Sequence, residues 1–190
     1  EVYEYIKLLF ARIGITYSPI SGNEVKRHSV SDVVSFFESL PDQSTALIYA
    51  PLILNGDRTL VQQLTILLQQ GFSRMIFKSE IVKIEEVIEQ INKKTKADDT
   101  FLVIDRIRID KEDHDLPARI ADSVQTAFYE GEGTCLVEYE QKQKTKTTTF
   151  SNKFELDGIT FEEPSVNMFT FNNPYGACKS CEGFGSVIGI

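Results

Sequence analysis

Two cysteines three positions apart, Cys178 and Cys181, carry the clearest chemical signal in the chain. Thiolates at this spacing on a tight turn chelate one zinc ion, but zinc takes four ligands. No second cysteine pair and no histidine pair lies nearby. Three readings stay open on the residues: half of a zinc site, a pair that holds no metal, and a redox dithiol. A redox pair normally opens a helix after a strand. Here Gly176 precedes the pair and Gly183 and Gly185 follow it, which suits a zinc knuckle better.

The other reactive residues point away from catalysis. Cys135 sits in a strand-like run between Thr134 and Leu136 and reads as a small core residue. His28 and His114 lie in polar surroundings at segment ends and read as solvent-exposed, with no base or ligand spacing around them. No glycine is followed by lysine, so the chain has no phosphate-cradling loop, and the glycines from 183 to 189 miss the dinucleotide spacing by one residue. With no nucleophile triad either, these residues are not expected to form an enzyme by themselves.

The elements that would position any site alternate along the chain. Residues 2–12 carry Val2, Tyr3, Ile6, Leu9 and Phe10 at helical spacing, and Gly14 suits a stop. Ser18-Pro19 and Ser21-Gly22-Asn23 read as a turn. Ser29 with Asp32 resembles a capping box opening a helix over 30–40. Residues 45–54 form a strongly apolar strand, 59–70 an amphipathic helix, and 72–78 a half-buried strand. Residues 100–109 are the clearest strand. Simple alternation puts Phe101, Val103, Asp105, Ile107 and Ile109 on one side, and Leu102, Ile104, Arg106 and Arg108 on the other. A helix over 115–130 follows, with Pro117 in its first turn. Strands over 134–139 and 147–154 then flank a basic hairpin containing Lys142, Lys144 and Lys146. The expected fold class is α+β: a mixed sheet with packed helices in a central domain, flanked by helical and loop-rich arms. The expected boundaries are 1–44 for an N-terminal helical arm, 45–154 for the central domain and 155–190 for a C-terminal arm.

Composition narrows the function classes. Of 190 residues, 42% are hydrophobic and 25% charged, as in a folded globular chain rather than a disordered tail. The three cysteines exclude a disulfide-dense scaffold. The longest apolar run, 46–54, is too short to span a bilayer, so no membrane role is expected, and a cytoplasmic location is. The net charge of −8 argues against DNA binding by bulk electrostatics.

The tail Phe169-Thr170-Phe171-Asn172-Asn173-Pro174-Tyr175-Gly176-Ala177-Cys178-Lys179-Ser180-Cys181-Glu182-Gly183-Phe184-Gly185 resembles a stretch of the UvrA family. The opening Val2-Tyr3-Glu4-Tyr5-Ile6-Lys7-Leu8-Leu9-Phe10-Ala11-Arg12-Ile13-Gly14 resembles another. Shorter matches follow in family order at Ala50-Pro51-Leu52, Gln70-Gly71-Phe72-Ser73-Arg74, Val103-Ile104-Asp105-Arg106 and Arg119-Ile120-Ala121-Asp122-Ser123. The resemblance covers essentially the whole chain. It implies a segment of the damage-sensing ATPase of bacterial nucleotide excision repair, taken from its first ATP-binding half between phosphate loop and signature segment. The middle would be the inserted domain that docks UvrB. The parent would bind ATP and zinc, act as a homodimer and contact DNA, while this stretch itself is expected to hold no cofactor.

The resemblance also exposes departures. The family usually carries a Cys-Pro-x-Cys/His-Gly turn where this chain has Ser18-Pro19-Ile20-Ser21-Gly22, and a cysteine pair in the region where it has Phe154-Glu155-Leu156-Asp157-Gly158. Those two pairs together would form one zinc site, so its complete loss is expected. Cys178 and Cys181 resemble half of a second site, expected to be empty here. The implied UvrB contacts are the charged residues of the central strands and helix: Arg74, Lys78, Asp105, Arg106, Arg108, Arg119 and Asp122. Arginine's planar fork suits bidentate pairing with carboxylates. Asp105, sharing a side with apolar residues, is expected to be a buried partner positioning Arg106. The alternative function is contact with DNA flanking a lesion through Lys142, Lys144 and Lys146, helped by Lys93, Lys94 and Lys96.

Overall fold

A computed structural model describes residues 2–54, 56–91, 99–141 and 144–170. It divides into two units: Glu1–Lys26 with Phe154–Ile190, and Arg27–Lys153. No helix among the described residues is long and apolar enough to cross a membrane.

The central unit is a six-stranded sheet with its helices on one face. In chain order the elements are α2 (Val30–Glu38), β1 (Thr45–Pro51), α3 (Leu60–Gln69), β2 (Arg74–Phe77), β3 (Glu80–Lys83), α4 (Ile84–Gln90), β4 (Phe101–Arg108), α5 (Leu116–Glu130), β5 (Thr134–Gln141) and β6 (Lys144–Ser151); α1 precedes them in the other unit. The spatial order is β3-β2-β4-β1-β5-β6. The α+β class holds. Every ladder is antiparallel, so the sheet is not mixed.

Local chemistry sets the helix starts. The Ser29 hydroxyl accepts the Asp32 N–H at 3.2 Å, and the Asp32 carboxylate accepts the Ser29 N–H at 2.7 Å, a complete capping box. Thr59 and Gln62 repeat the device at α3. Asp115 precedes α5 but makes no side-chain cap.

Two apolar clusters hold the helices down. Val33, Phe37 and Leu40 from the α2 region pack with Ile120 and Val124 of α5 against Ala46, Ile48, Ile107 and Val137 of the sheet. Leu60, Leu64 and Leu67 of α3 join Ile84 and Val87 of α4 over Met75 and Leu102. Since Ala50 and Leu102 are opposite each other in the β1–β4 ladder, both clusters lie on the same sheet face. The packing of α2 corrects the boundary expected at residue 45: the central unit starts at Arg27. Cys135 is fully buried in the first cluster, where burial pushes its thiol up to about 12. His28 is corrected from solvent-exposed to half-buried. Its ring meets Phe150 edge-on at 5.2 Å and accepts the Ser151 N–H at Nδ1.

The flanking unit contains α1 (Val2–Ile13), short strands β7 (Glu155–Leu156) and β8 (Ile159–Thr160), and a 3-10 turn over Val166–Phe169. The Phe10 and Phe169 rings meet at a tilt, 5.8 Å between centroids, and the Tyr3 hydroxyl donates to the Phe169 carbonyl. Much of the apolar surface of α1 stays exposed, Val2 at 73% and Ile13 at 68%.

Candidate functional site

The sheet face opposite the helices presents the strongest functional arrangement, and one extra residue decides its composition. The β1–β4 ladder pairs Ile48 with Asp105 and Tyr49 with Val103, leaving Ile104 as an inserted residue in β4. A one-residue insertion flips the alternation. Beyond it, Leu102 joins Asp105 and Ile107 on the helix-covered side, while Phe101 and Val103 join Arg106 and Arg108 on the open side. The sides expected for Phe101, Val103 and Leu102 are therefore corrected. Two contacts agree: Phe101 packs edge-on against Tyr49 at 5.4 Å, and Leu102 is buried among α3 and α4 residues.

The open face has an apolar floor and a charged rim. Leu47 faces Arg106 in β4 and Glu138 in β5, so all three share this side. Tyr49 faces Val103 and Leu136. Arg74 in β2 lies opposite Lys83 in β3, on the same side. A groove of about 260 Å³ runs between Arg74 and Arg106 over Leu47, Val103 and Ile81. Arg74, Arg106 and Arg108 are exposed, and none has an ion-pair partner among the described residues. Positive charge thus gathers on β2, β3 and β4, with Glu138 and Glu140 across the sheet on β5. Tyr49 stays protonated more firmly than usual because burial disfavours its anion, although the Thr147 hydroxyl partly offsets this.

The seven expected contact residues do not form one patch. Arg74, Arg106 and Arg108 share the open face. Asp105 and Arg119 lie on the opposite side, paired with each other: Nε to Oδ2 at 3.0 Å and Nη2 to Oδ1 at 2.8 Å. Ser123 adds a hydrogen bond at 3.1 Å, and the Arg106 backbone N–H adds one at 2.7 Å. Burial alone would raise the Asp105 carboxyl; the bonds from Arg119 and Ser123, with the arginine's charge, outweigh it and hold the group below its usual range. Asp105 does touch the Arg106 backbone, as a partly exposed rather than buried carboxylate. Asp122 is exposed on α5. Lys78 is not on the Arg74 strand side: it sits in the two-residue turn between β2 and β3, 5.3 Å over the Phe77 ring. Sequence reasoning missed Lys83 and Glu138. The signal that finds them is register, which single-strand alternation does not contain.

Lys144 and Lys146 occupy alternate positions of β6, opposite Gln141 and Tyr139, on the side away from Arg106. Lys146 donates to the Gln141 side chain at 2.7 Å. Lys142, Lys93, Lys94 and Lys96 lie outside the described residues, as do Cys178 and Cys181.

At the positions where the UvrA resemblance implies a zinc site, the donors do not fit zinc. Ser18 and Ser21 offer neutral hydroxyls in place of thiolates. Both donate to the same Asp157 oxygen, Ser21 at 2.6 Å. No group of three or more His, Cys, Asp or Glu side chains converges among the described residues.

Comparison with known proteins gives one consistent result. The UvrA interaction domain model matches residues 28–141. The UvrABC system protein A of Rickettsia typhi is 30% identical over 195 residues, covering 97% of this chain and 20% of that protein. Its counterpart in Mesorhizobium japonicum is 33% identical over 205 residues, covering 98% of this chain and 21% of that protein. The Thermus thermophilus protein is 34% identical over 190 residues, covering 97% of this chain and 19% of that protein. The chain thus spans about a fifth of the length of the curated relatives it matches.

Proposed function

Since this chain belongs to the UvrA family and carries its interaction domain, we propose that the central unit docks UvrB during nucleotide excision repair. One observation carries the reading. Three arginines, Arg74, Arg106 and Arg108, stand on the helix-free sheet face; Arg74 and Arg106 line a groove floored by Leu47, Val103 and Ile81, and none of the three makes an ion pair among the described residues. Such a face suits a partner that must arrive quickly and leave again: rim charges speed the encounter, and the small apolar floor limits lifetime. Arginine at these positions selects carboxylates, so the matching UvrB surface carries Asp or Glu opposite β2 and β4. Glu138 and Glu140 ask for a basic group opposite β5.

Within the whole protein, ATP binding and hydrolysis lie outside this stretch. The protein acts in the cytoplasm, where its DNA substrate is. The segment binds its partner without a cofactor of its own.

The test is a titration of the chain with purified UvrB and, separately, with duplex DNA at physiological salt. Docking predicts a UvrB dissociation constant of roughly micromolar or tighter, with no DNA binding at comparable concentration. The reverse result would favour the alternative, DNA contact through Lys144 and Lys146, whose shared side of β6 is the observation behind it. That binding would weaken steeply with added salt.

A further inference from the structure

Two segments that flank the central unit meet at one carboxylate. The chain leaves the flanking unit after Lys26 and returns to it at Phe154. Just before the exit, Ser18 and Ser21 sit on a reversed loop closed by the Tyr17–Glu24 bridge, by Ser18 N–H to the Asn23 carbonyl at 2.9 Å, and by Gly22 N–H to the Ser18 carbonyl at 2.9 Å. Just after the return, Asp157 and Gly158 form the tight turn of the β7–β8 hairpin with φ of 55° and 75°, the backbone an Asp-Gly turn prefers.

The two hydroxyls are aimed before they meet the carboxylate. Ser18 Oγ accepts the Ile20 N–H at 3.2 Å, and Ser21 Oγ accepts the Asn23 N–H at 3.3 Å. With that lone pair committed, each hydroxyl proton is free to point outward, and both reach Asp157 Oδ2, across 139 and 136 residues of chain. The two turns therefore act as a small oxygen-and-amide cradle filled by the chain's own anion.

We propose that Ser18, Ser21 and Asp157 form a metal-independent clasp that ties together the two crossings into the central unit, at the positions where the family resemblance implies a zinc site. The chemistry is self-consistent. A zinc site needs anionic or imidazole donors presenting lone pairs to the ion. Here the two serines present protons, and a single carboxylate supplies the only charge. A substitution confined to one half would leave thiolates without their metal; exchanging both halves yields a matched donor–acceptor set. The Asp157 carboxyl is held below its ordinary range by the Ser18 and then the Ser21 hydroxyl, as expected of an anion that accepts both. The clasp is independent of the docking reading, since none of its residues lies in the central unit.

Amide hydrogen exchange on the full chain tests it, reading Gly22 and Val25, whose N–H groups close the first loop, with Ile48 in the central core as control. Ser21→Ala and Asp157→Asn are the variants; asparagine keeps the turn conformation while weakening the acceptor. Each should speed Gly22 and Val25 exchange roughly three- to tenfold, the double variant no more than the faster single, and Ile48 not at all. Excess chelator should leave the wild-type rates unchanged. The clasp is overturned if Asp157→Asn changes nothing at Gly22 and Val25, if the two effects multiply, if Ile48 speeds up with them, or if chelator alone reproduces the variants.

Discussion

Asp105 on β4 and Arg119 on α5 form a two-pronged ion pair, Nε to Oδ2 at 3.0 Å and Nη2 to Oδ1 at 2.8 Å, one residue beyond the β4 insertion. The carboxylate also accepts from Ser123 and from the Arg106 backbone. It therefore fastens helix to strand at the point where the strand changes sides. The Arg119 side chain is 57% exposed, so water screens much of the attraction. Asp105→Asn should lower unfolding free energy by about 1 kcal/mol, read as an earlier urea midpoint. A loss above about 4 kcal/mol would mean the carboxylate supports far more than this pair.

The same pair predicts an acid limb. The folded carboxyl lies below its unfolded value of about 3.9. Its contribution is therefore complete above that unfolded value and disappears as pH falls through the lower, folded one. Wild type should lose stability faster than Asp105→Asn between about pH 5 and pH 2, the two curves converging at the acid end. Parallel curves would show that Asp105 titrates alike in both states.

The two sides of the sheet predict opposite phenotypes for two arginines. Arg106 projects from the open face without an ion pair, whereas Arg119 is spent on Asp105 on the other side. Arg106→Glu should weaken UvrB binding at least tenfold, about 1.4 kcal/mol, and leave the melting temperature within a degree or two. Arg119→Ala should do the reverse, with affinity within about twofold and stability lower by about 1 kcal/mol. Calorimetric titration and thermal melts on both variants decide it. Binding lost in Arg119→Ala alone would move the docking face to the helix side.

Much of this fold was legible because its signals are local. The Ser29–Asp32 capping box, the helix over 115–130 and the strand starting at Thr134 each need only a few neighbouring residues, and each forms where expected. The misreadings arose where distant partners decide. Around Ile104 both sides of β4 are apolar, so an inserted residue leaves no trace in the pattern; only the register with β1 reveals it. The α2 helix was read as part of an arm because its cover, Ile120 and Val124, lies some ninety residues on. Ser18, Ser21 and Asp157 registered as missing cysteines, because a hydrogen bond across 139 residues cannot be seen from either end. Of the candidate site, residue types were legible and sidedness was not.

Gly131, closing α5, is fixed by crowding. A Cβ there would lie 2.3 Å from the Thr134 carbonyl oxygen, 2.9 Å from the Ala127 carbonyl oxygen and 2.9 Å from the Ala50 Cβ. Its φ of −91° is ordinary, so backbone strain contributes nothing. Gly131→Ala must push α5 away from β1 and should cost about 1–3 kcal/mol. A neutral outcome would show that the α5–β5 connection shifts freely.

The β2–β3 hairpin predicts a stabilising change. Phe77 pairs with Glu80, so Lys78 and Ser79 alone form the loop, with φ of 52° and 66°. This is the turn that matches strand twist, and it favours Asn-Gly because side chains crowd the backbone at positive φ. Lys78 recovers part of that cost by lying over the Phe77 ring at 5.3 Å, a contact worth about 0.5 kcal/mol at an exposed site. Ser79 has no such compensation among the described residues. Ser79→Gly should therefore raise stability by about 0.5–1 kcal/mol, with the urea midpoint later and its slope unchanged. The gain is limited because glycine also enlarges the unfolded ensemble. Lys78→Asn should come out near neutral in stability. It should also leave UvrB affinity within about twofold, since Lys78 stands off the face that carries Arg74 and Arg106. An affinity loss in Lys78→Asn as large as that in Arg106→Glu would extend the docking surface around the hairpin tip.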